Sequence, residues 1–494
     1  MTFITQTAPR GLSRMGEAGL AAAAFAVLAN HWLWGAWPGV SLALTILLGG
    51  GVTLAVHRRA PLARLAASAA LFVFAAAALV EAVSLLSFIV AAGLAAGAVL
   101  IASRGLPRSI SALLLGAMAL LVGPAWRLPR DLWRLWRARR RRSYAAPRLG
   151  GTLRAWSLPL GLGAVFVALF AEANPIIGNW LAGVSLFGWL DGVWLFRGIL
   201  SLMLAAAIWP ALRPAPPFAA PGGDAAQRRV REFAWLGAPS ILRALILFNA
   251  IFAAQTSLDA SILWGGAALP DGMTYAEYAH RGAYPLIVTA LLAAGFVLVA
   301  LRQGSEAAAS ATIRRLVYAF LAQNVALVVS SIYRLDLYVE VYGLTYLRIA
   351  AFIWMGLVAF GLVLIAARIV LEMSGNWLIA ANLGALGLTL YACCFVNFAA
   401  IVMDHNTRDG ARLDLPYLAS FDARAIPAVD RLIRDGRVSF QDRDWLEYWR
   451  ESCRRAHLAG AEDWRSWTRR NAALTAYLDA NPEPPHTPLQ EAPL

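Results

Sequence analysis

Glu277, His280 and Arg281 fall at i, i+3 and i+4, a spacing that puts a carboxylate, an imidazole and a guanidinium on one helical face. They belong to a polar and aromatic segment, 270–286, set between the apolar runs 239–258 and 286–301. A second such segment, 333–348, supplies Arg334, Asp336, Glu340 and Arg348, and Asp259 closes the apolar run before the first. Acids and arginines in this proportion would neutralise one another. Tyr275, Tyr278, Tyr284, Tyr338, Tyr342 and Tyr346 suit an aromatic belt at a membrane surface. Three chemistries fit these residues: a structural clasp between helix ends, a pocket mouth for a polar ligand or lipid headgroup, or a metal site of Glu277, His280, Asp404 and His405. With six histidines in the chain and neither HExxH nor paired CxxC, no metal is expected.

Deeper in the apolar runs the polar residues are mainly amides: Asn249, Gln255, Gln323, Asn324, Asn382 and Asn397, with Arg243 near a run's start. Charge inside a span costs ~2.5–3.5 kcal/mol at the helix centre, so such groups are the first candidates for function. Most here sit near run ends, as do Glu81, Glu172, Arg197, Asp259, Arg334 and Arg348. Buried amides typically join helices through hydrogen bonds of ~0.6–2 kcal/mol. The chain has no Walker loop, GxSxG or histidine-rich box, so no catalytic residue and no cofactor is expected. Cys393, Cys394 and Cys453 form neither a metal spacing nor a disulfide framework.

The elements that must hold these residues are membrane spans. With 60% hydrophobic and 15% charged residues over 494 positions, the chain is too apolar for a soluble domain. Its apolar runs reach the ~20 residues that cross a ~30 Å hydrocarbon layer, without the alternation of a β-barrel. The expected class is an all-α polytopic membrane protein of about 11–12 hydrophobic segments with a small helical C-terminal soluble domain. The division is 1–126, N-terminal spans; 127–154, a basic cytoplasmic loop; and 155–212, spans with a Gly/Trp-rich interfacial hairpin over 176–196. There follow 213–236, a Pro/Gly-rich cytoplasmic linker; 237–400, a C-terminal bundle with both polar inserts; 401–480, the soluble domain; and 481–494, a disordered tail.

The net charge of +14 comes entirely from arginine, there being no lysine. It concentrates beside spans, as at Arg58, Arg59, Arg64, Arg104, Arg108, Arg314, Arg315 and Arg368. The positive-inside rule accounts for this without a nucleic-acid partner. It places the N-terminus in the cytoplasm and the polar inserts and C-terminal domain outside. The segment from Arg127 to Arg154, with Trp126, Trp133 and Trp136 among its arginines, strains that count. It must stay cytoplasmic, so either 109–126 dips or lies along the surface, the preferred reading, or one earlier span is miscounted.

Several of these residues carry a family resemblance. Arg243-x5-Asn249, Gln255 to Asp259, Leu263-Trp-Gly-Gly266, Met273-Thr-Tyr-Ala-Glu-Tyr-Ala-His-Arg-Gly-Ala-Tyr-Pro-Leu286, 333–348 and Leu413-Asp-Leu-Pro-Tyr-Leu-Ala-Ser resemble a bacterial family of polytopic membrane proteins of unknown function. The resemblance is to domain of unknown function 4173 and covers about 156–425. It implies architecture and no activity. Three functions remain open: a non-enzymatic inner-membrane interaction, sensing or scaffold component facing the envelope; a transporter or lipid-handling protein with a cavity in the C-terminal bundle; or a membrane-embedded enzyme. The expected partners are the lipid bilayer and an envelope protein or lipid headgroup.

Overall fold

The computed structural model describes residues 10–105, 192–213, 237–263, 310–408 and 413–484, with scattered positions between 116 and 137 and between 289 and 298. The described residues are helical, with no strand among them. In chain order α1 is Arg10–Leu33, α2 Val40–Val56, α3 Leu62–Glu81, α4 Leu85–Arg104 and α5 Gly192–Leu212. Then come α6 Ala238–Leu263, α7 Ala311–Tyr342, α8 Tyr346–Val370, α9 Gly375–Phe395 and α10 Phe398–Asn406. The C-terminal region adds α11 Leu415–Ala419, α12 Ile426–Arg434, α13 Phe440–Ala461 and α14 Arg469–Ala480. Among the described residues seven helices, α3 to α9, are long and apolar enough to cross a membrane. This is a multi-pass helical membrane protein.

Side-chain caps start many of these helices. Ser310, Thr345, Ser374, Asn397, Asp414, Ser439 and Thr468 each accept a hydrogen bond from a first-turn amide that has no partner within the helix. Between α3 and α4, Ser84 and Ser87 cap reciprocally: Ser87 N donates to Ser84 Oγ at 3.1 Å and Ser84 N to Ser87 Oγ at 2.8 Å. The chain therefore turns just after Glu81, which the sequence places near a run end.

The chain forms two compact units. In the first, which holds α1, α2, α5 and most of α3 and α4, Ala18, Ala22, Phe25 and Ala29 make one buried stripe of α1. It packs on Ile208, Trp209, Ala211 and Leu212 of α5, the small residues allowing a close approach. The two helices run antiparallel: Asn30 Nδ2 donates to Arg197 O at 2.8 Å, near the start of α5. Near its end the His57 ring nitrogen lies 3.1 Å from Ala211 O. Asp131, the acid of the basic segment, accepts from Trp209 Nε1 at 3.2 Å and lies 3.8 Å from Arg213. The spanning helix α5 starts at Gly192, so the end of the expected Gly/Trp-rich hairpin over 176–196 belongs to a span. Its apolar content suffices to continue the helix, and glycine at 192 and 198 does not break it. The rest of 155–191, and the segment 109–126 but for scattered positions, lie outside the described residues.

The second unit holds the tip of the α3–α4 hairpin, Ala77–Ala91, and α6 onward. Its membrane core is built from Ile241, Leu245 and Phe252 of α6, Val317, Phe320, Leu321 and Val328 of α7, and Met355 and Leu362 of α8. Phe252 meets Phe320 edge-on at 4.9 Å between centroids. A second core joins Val339 of α7 and Leu344 to Val402 and Met403 of α10, Phe421, Val429 and Leu432. The C-terminal helices therefore pack onto the α7–α8 junction itself.

Candidate functional site

The structure gives 333–348 a different form from the expected insert. Arg334 to Tyr342 continue α7 without a break, so this helix has 32 residues. At ~1.5 Å per residue it is about 48 Å long, against ~30 Å of hydrocarbon, and it projects well beyond one surface. A segment of acids, arginines and tyrosines reads as a loop, but Tyr338 and Tyr342 stack at i, i+4 with centroids 4.7 Å apart. Val339 between them faces the C-terminal core. Asp336 and Glu340 are exposed on the projection.

Below it, α6 and α7 share a buried ion pair. Asp259 is 1% and Arg334 3% exposed, and Arg334 Nη2 donates to Asp259 Oδ1. Ser330 Oγ donates to Asp259 Oδ2 at 2.8 Å and Gln255 Nε2 to Oδ1 at 2.8 Å. Gln255 and Asp259, like Ser330 and Arg334, are four apart and stack along one helix face. Asp259 does not close α6, which continues to Leu263. Two turns further in, Gln323 Nε2 donates to Asn249 Oδ1 at 3.3 Å and Asn249 Nδ2 to Leu316 O at 3.1 Å. These amides join α6 to α7, whereas Asn324 and Asn382 each donate to a carbonyl of their own helix. Arg243 is exposed on α6. Asn397 is not inside a span: it lies past the end of α9, exposed, and caps α10 through Ala400 N.

At the α7–α8 junction the groups of the second segment are turned inward on the backbone. Arg348 Nη1 donates to Tyr342 O at 2.8 Å and to Gly343 O, and its guanidinium lies 4.5 Å from the Tyr338 ring centre. It thus satisfies carbonyls that α7 leaves open at its end. Gly343 has φ +75°, and a Cβ there would come within 2.9 Å of Asn406 Oδ1. That carboxamide reads both faces of Leu344, accepting from its N at 2.7 Å and donating to its O at 2.9 Å. His405, beside it, is held below the ordinary histidine range by burial and Arg408, against the pull of Asp336 and Glu340. Asp404 is exposed and pairs with Arg431.

A contact that sequence reasoning missed joins the start and the end of the second unit. Glu81, 4% exposed at the end of α3, receives Arg469 Nη2 at 2.7 Å, Arg469 Nε, and Arg470 Nε at 2.9 Å. Arg470 Nη2 also donates to Cys394 O and Val396 O, each at 2.9 Å, at the C-terminal end of α9. One pair of neighbouring arginines on α14 therefore binds the ends of two spans. Only the isolation of Glu81 in its apolar surroundings hinted at this.

Of the first segment, Tyr275, Glu277, Tyr278, His280 and Arg281 lie outside the described residues, so the expected pairing of the two segments concerns residues beyond those described. Among the described residues no group of three or more His, Cys, Asp or Glu side chains could hold a metal.

Comparison with known proteins adds one match: the family model described as Domain of unknown function (DUF4153) covers residues 63–432. The chain belongs to this family. The match reaches further toward the N-terminus than the motif resemblance, and it gives the 4173 number no support. Within the DUF4153 region lie Glu81, Asp259, Arg334, Arg348 and Asn406, whereas Arg450, Arg469 and Arg470 stand beyond its end. No curated protein and no solved structure matches the chain.

Proposed function

We propose that this DUF4153 protein is a bacterial inner-membrane component whose C-terminal domain and neighbouring span ends form a single envelope-facing surface for interaction or sensing, with no reaction of its own. The observation that carries this reading is the hold of Arg469 and Arg470 on Glu81 and on the last carbonyls of α9. It makes the C-terminal domain part of the span-end surface and not a tethered appendage. Charge supports the orientation: the ends of α7 and α8 away from that domain carry Arg314, Arg315 and Arg368, the cytoplasmic signature. The groups most able to act chemically, Asp259, Arg334, Arg348 and Asn406, are each engaged by neighbouring helices, as a scaffold requires.

Membrane-impermeant maleimide labelling in a cysteine-free background tests the reading. Asp479→Cys is expected to label in intact cells with a permeable outer membrane, and Arg58→Cys only after the inner membrane is opened. The reverse pattern would remove the envelope-facing assignment. A transport reading draws on the α6–α7 seam, where Gln323 meets Asn249. It requires Gln323→Cys to react with a small water-borne thiol reagent, and the scaffold reading requires that it does not.

A further inference from the structure

The short corner between α13 and α14 presents two tryptophans to the outside, Trp464 at 57% and Trp467 at 45% exposure. Exposed indoles on a flexible loop would be unremarkable, but this corner is braced. Arg465 grips Asp463 with Nη2 to Oδ2 at 2.6 Å and Nε to Oδ1 at 3.0 Å. Ser466 Oγ, buried, donates to Gly460 O at 2.5 Å and Asp463 O at 2.7 Å, and Trp467 N closes the turn onto Trp464 O at 3.2 Å. Thr468 then caps α14. The indoles are held out by a rigid frame.

Their place in the fold says what they meet. Arg469, two residues after Trp467, is bonded to Glu81 at the end of α3, and Arg470 to the carbonyls where α9 ends. Both partners are ends of helices long and apolar enough to cross a membrane, so the start of α14, directly after the corner, lies at the level of those span ends. Tryptophan at that level favours the headgroup layer, with its ring among acyl carbonyls and its N–H toward polar groups.

We propose that the Trp464–Trp467 corner is a membrane-surface anchor whose two indoles lie in the headgroup layer of the leaflet through which α3 and α9 emerge. The occupant is the bilayer that the spans already cross, which the continuity of the corner with two span ends supplies. The anchor deepens the scaffold reading above and rests on it for the seating of the C-terminal domain, but not for the side of the membrane. The domain is then held at two kinds of point, by arginines on span ends and by indoles in lipid.

The test uses the full chain in liposomes with and without lipids brominated near the headgroup. The signal of interest is the difference in emission between the native chain and Trp464→Phe/Trp467→Phe, with Trp445→Phe as the control. The anchor predicts that the emission lost in the double variant is blue-shifted, quenched by the brominated lipid and protected from iodide. Difference emission quenched by iodide and untouched by brominated lipid would overturn it. Should the double variant fail to fold, Trp464→Phe alone applies the same test to one indole, because that ring is mostly exposed. Lipid quenching is blind to sidedness, so a failed anchor and a reversed orientation give separate results.

Discussion

Two buried aspartate–arginine pairs, one in the membrane bundle and one in the C-terminal domain, solve the same problem differently. Asp430 and Arg450 are 1% and 0% exposed and meet through two parallel contacts, Nε to Oδ1 at 2.7 Å and Nη2 to Oδ2 at 3.0 Å. Tyr477 Oη donates to the same carboxylate at 3.0 Å, and Arg450 Nη2 also reaches Asn481 O at 2.7 Å. The partners come from α12, α13 and the end of α14, so one carboxylate ties three helices together. Asp259 and Arg334 meet with Gln255 and Ser330 around them, residues of the same two helices, α6 and α7. The first pair locks a small core from which water is excluded. The second sets the register of two long helices near the level where α7 leaves the membrane. The lesson is that equal burial does not mean equal work: which elements the acid joins decides what breaks when it is removed.

The comparison is most sharply tested by Asp430→Ala. It leaves Arg450 buried without its partner and is expected to cost about 3–5 kcal/mol. Limited proteolysis should show the C-terminal domain opening while the membrane helices stay protected. Asp259→Asn keeps hydrogen-bonding capacity for Ser330 and Gln255 but removes the charge. A cost of about 1–2 kcal/mol is expected, because helices separated within a bilayer find other partners. Unfolding in mixed micelles measures it, and a loss equal to that of Asp430→Ala would erase the distinction. Tyr477→Phe should cost about 1 kcal/mol, the net worth of one hydrogen bond.

Titration separates the regions further. Burial, the Asp430 charge and the bond to Asp430 push the Tyr477 phenol up to about 12. Because the folded value lies above the unfolded one, its contribution is complete below pH ~10 and is lost as pH rises from there through about 12. Tyr477→Phe should flatten that alkaline limb. The smallest effect is expected at His457, which burial holds below the ordinary histidine range and whose ring nitrogen lies 3.1 Å from Thr475 Oγ1. Its depressed folded value means that the unfolded chain takes up the proton first, so the domain weakens as pH falls below ~6.5. His457→Gln should reduce this acid dependence in thermal scans of the full chain, whereas the Asp259 region should respond to neither substitution.

What the sequence displayed, and what it hid, follows the same division. Apolar runs and the arginines beside them marked span order, and Glu81 stood out as a charge at the end of an oily run. The residue types of Asp259 and Arg334 were legible as candidates, since charge near a span end needs a reason, but their pairing was not. The second polar segment concealed a helix, because alternate residues serve unlike surroundings: Asp336 and Glu340 face water while Val339 enters a core. Asn397 misled in the opposite way, being a cap that composition made look intramembrane. The grip of Arg469 and Arg470 on Glu81 spans 388 and 389 positions, and no local pattern announces a contact at that separation.

That grip is the centre of the account, and a double-mutant cycle tests it most directly. Glu81→Gln, the paired Arg469→Gln/Arg470→Gln, and their combination would be followed by hydrogen exchange of α14 in the full-length protein. The account predicts that either change alone loosens α14 and that the combination adds little beyond the arginine pair, in which the Glu81 contact is already gone. Fully additive losses, or an α14 unchanged by Glu81→Gln, would contradict it and remove the Glu81 contact as a tie between α14 and the span ends.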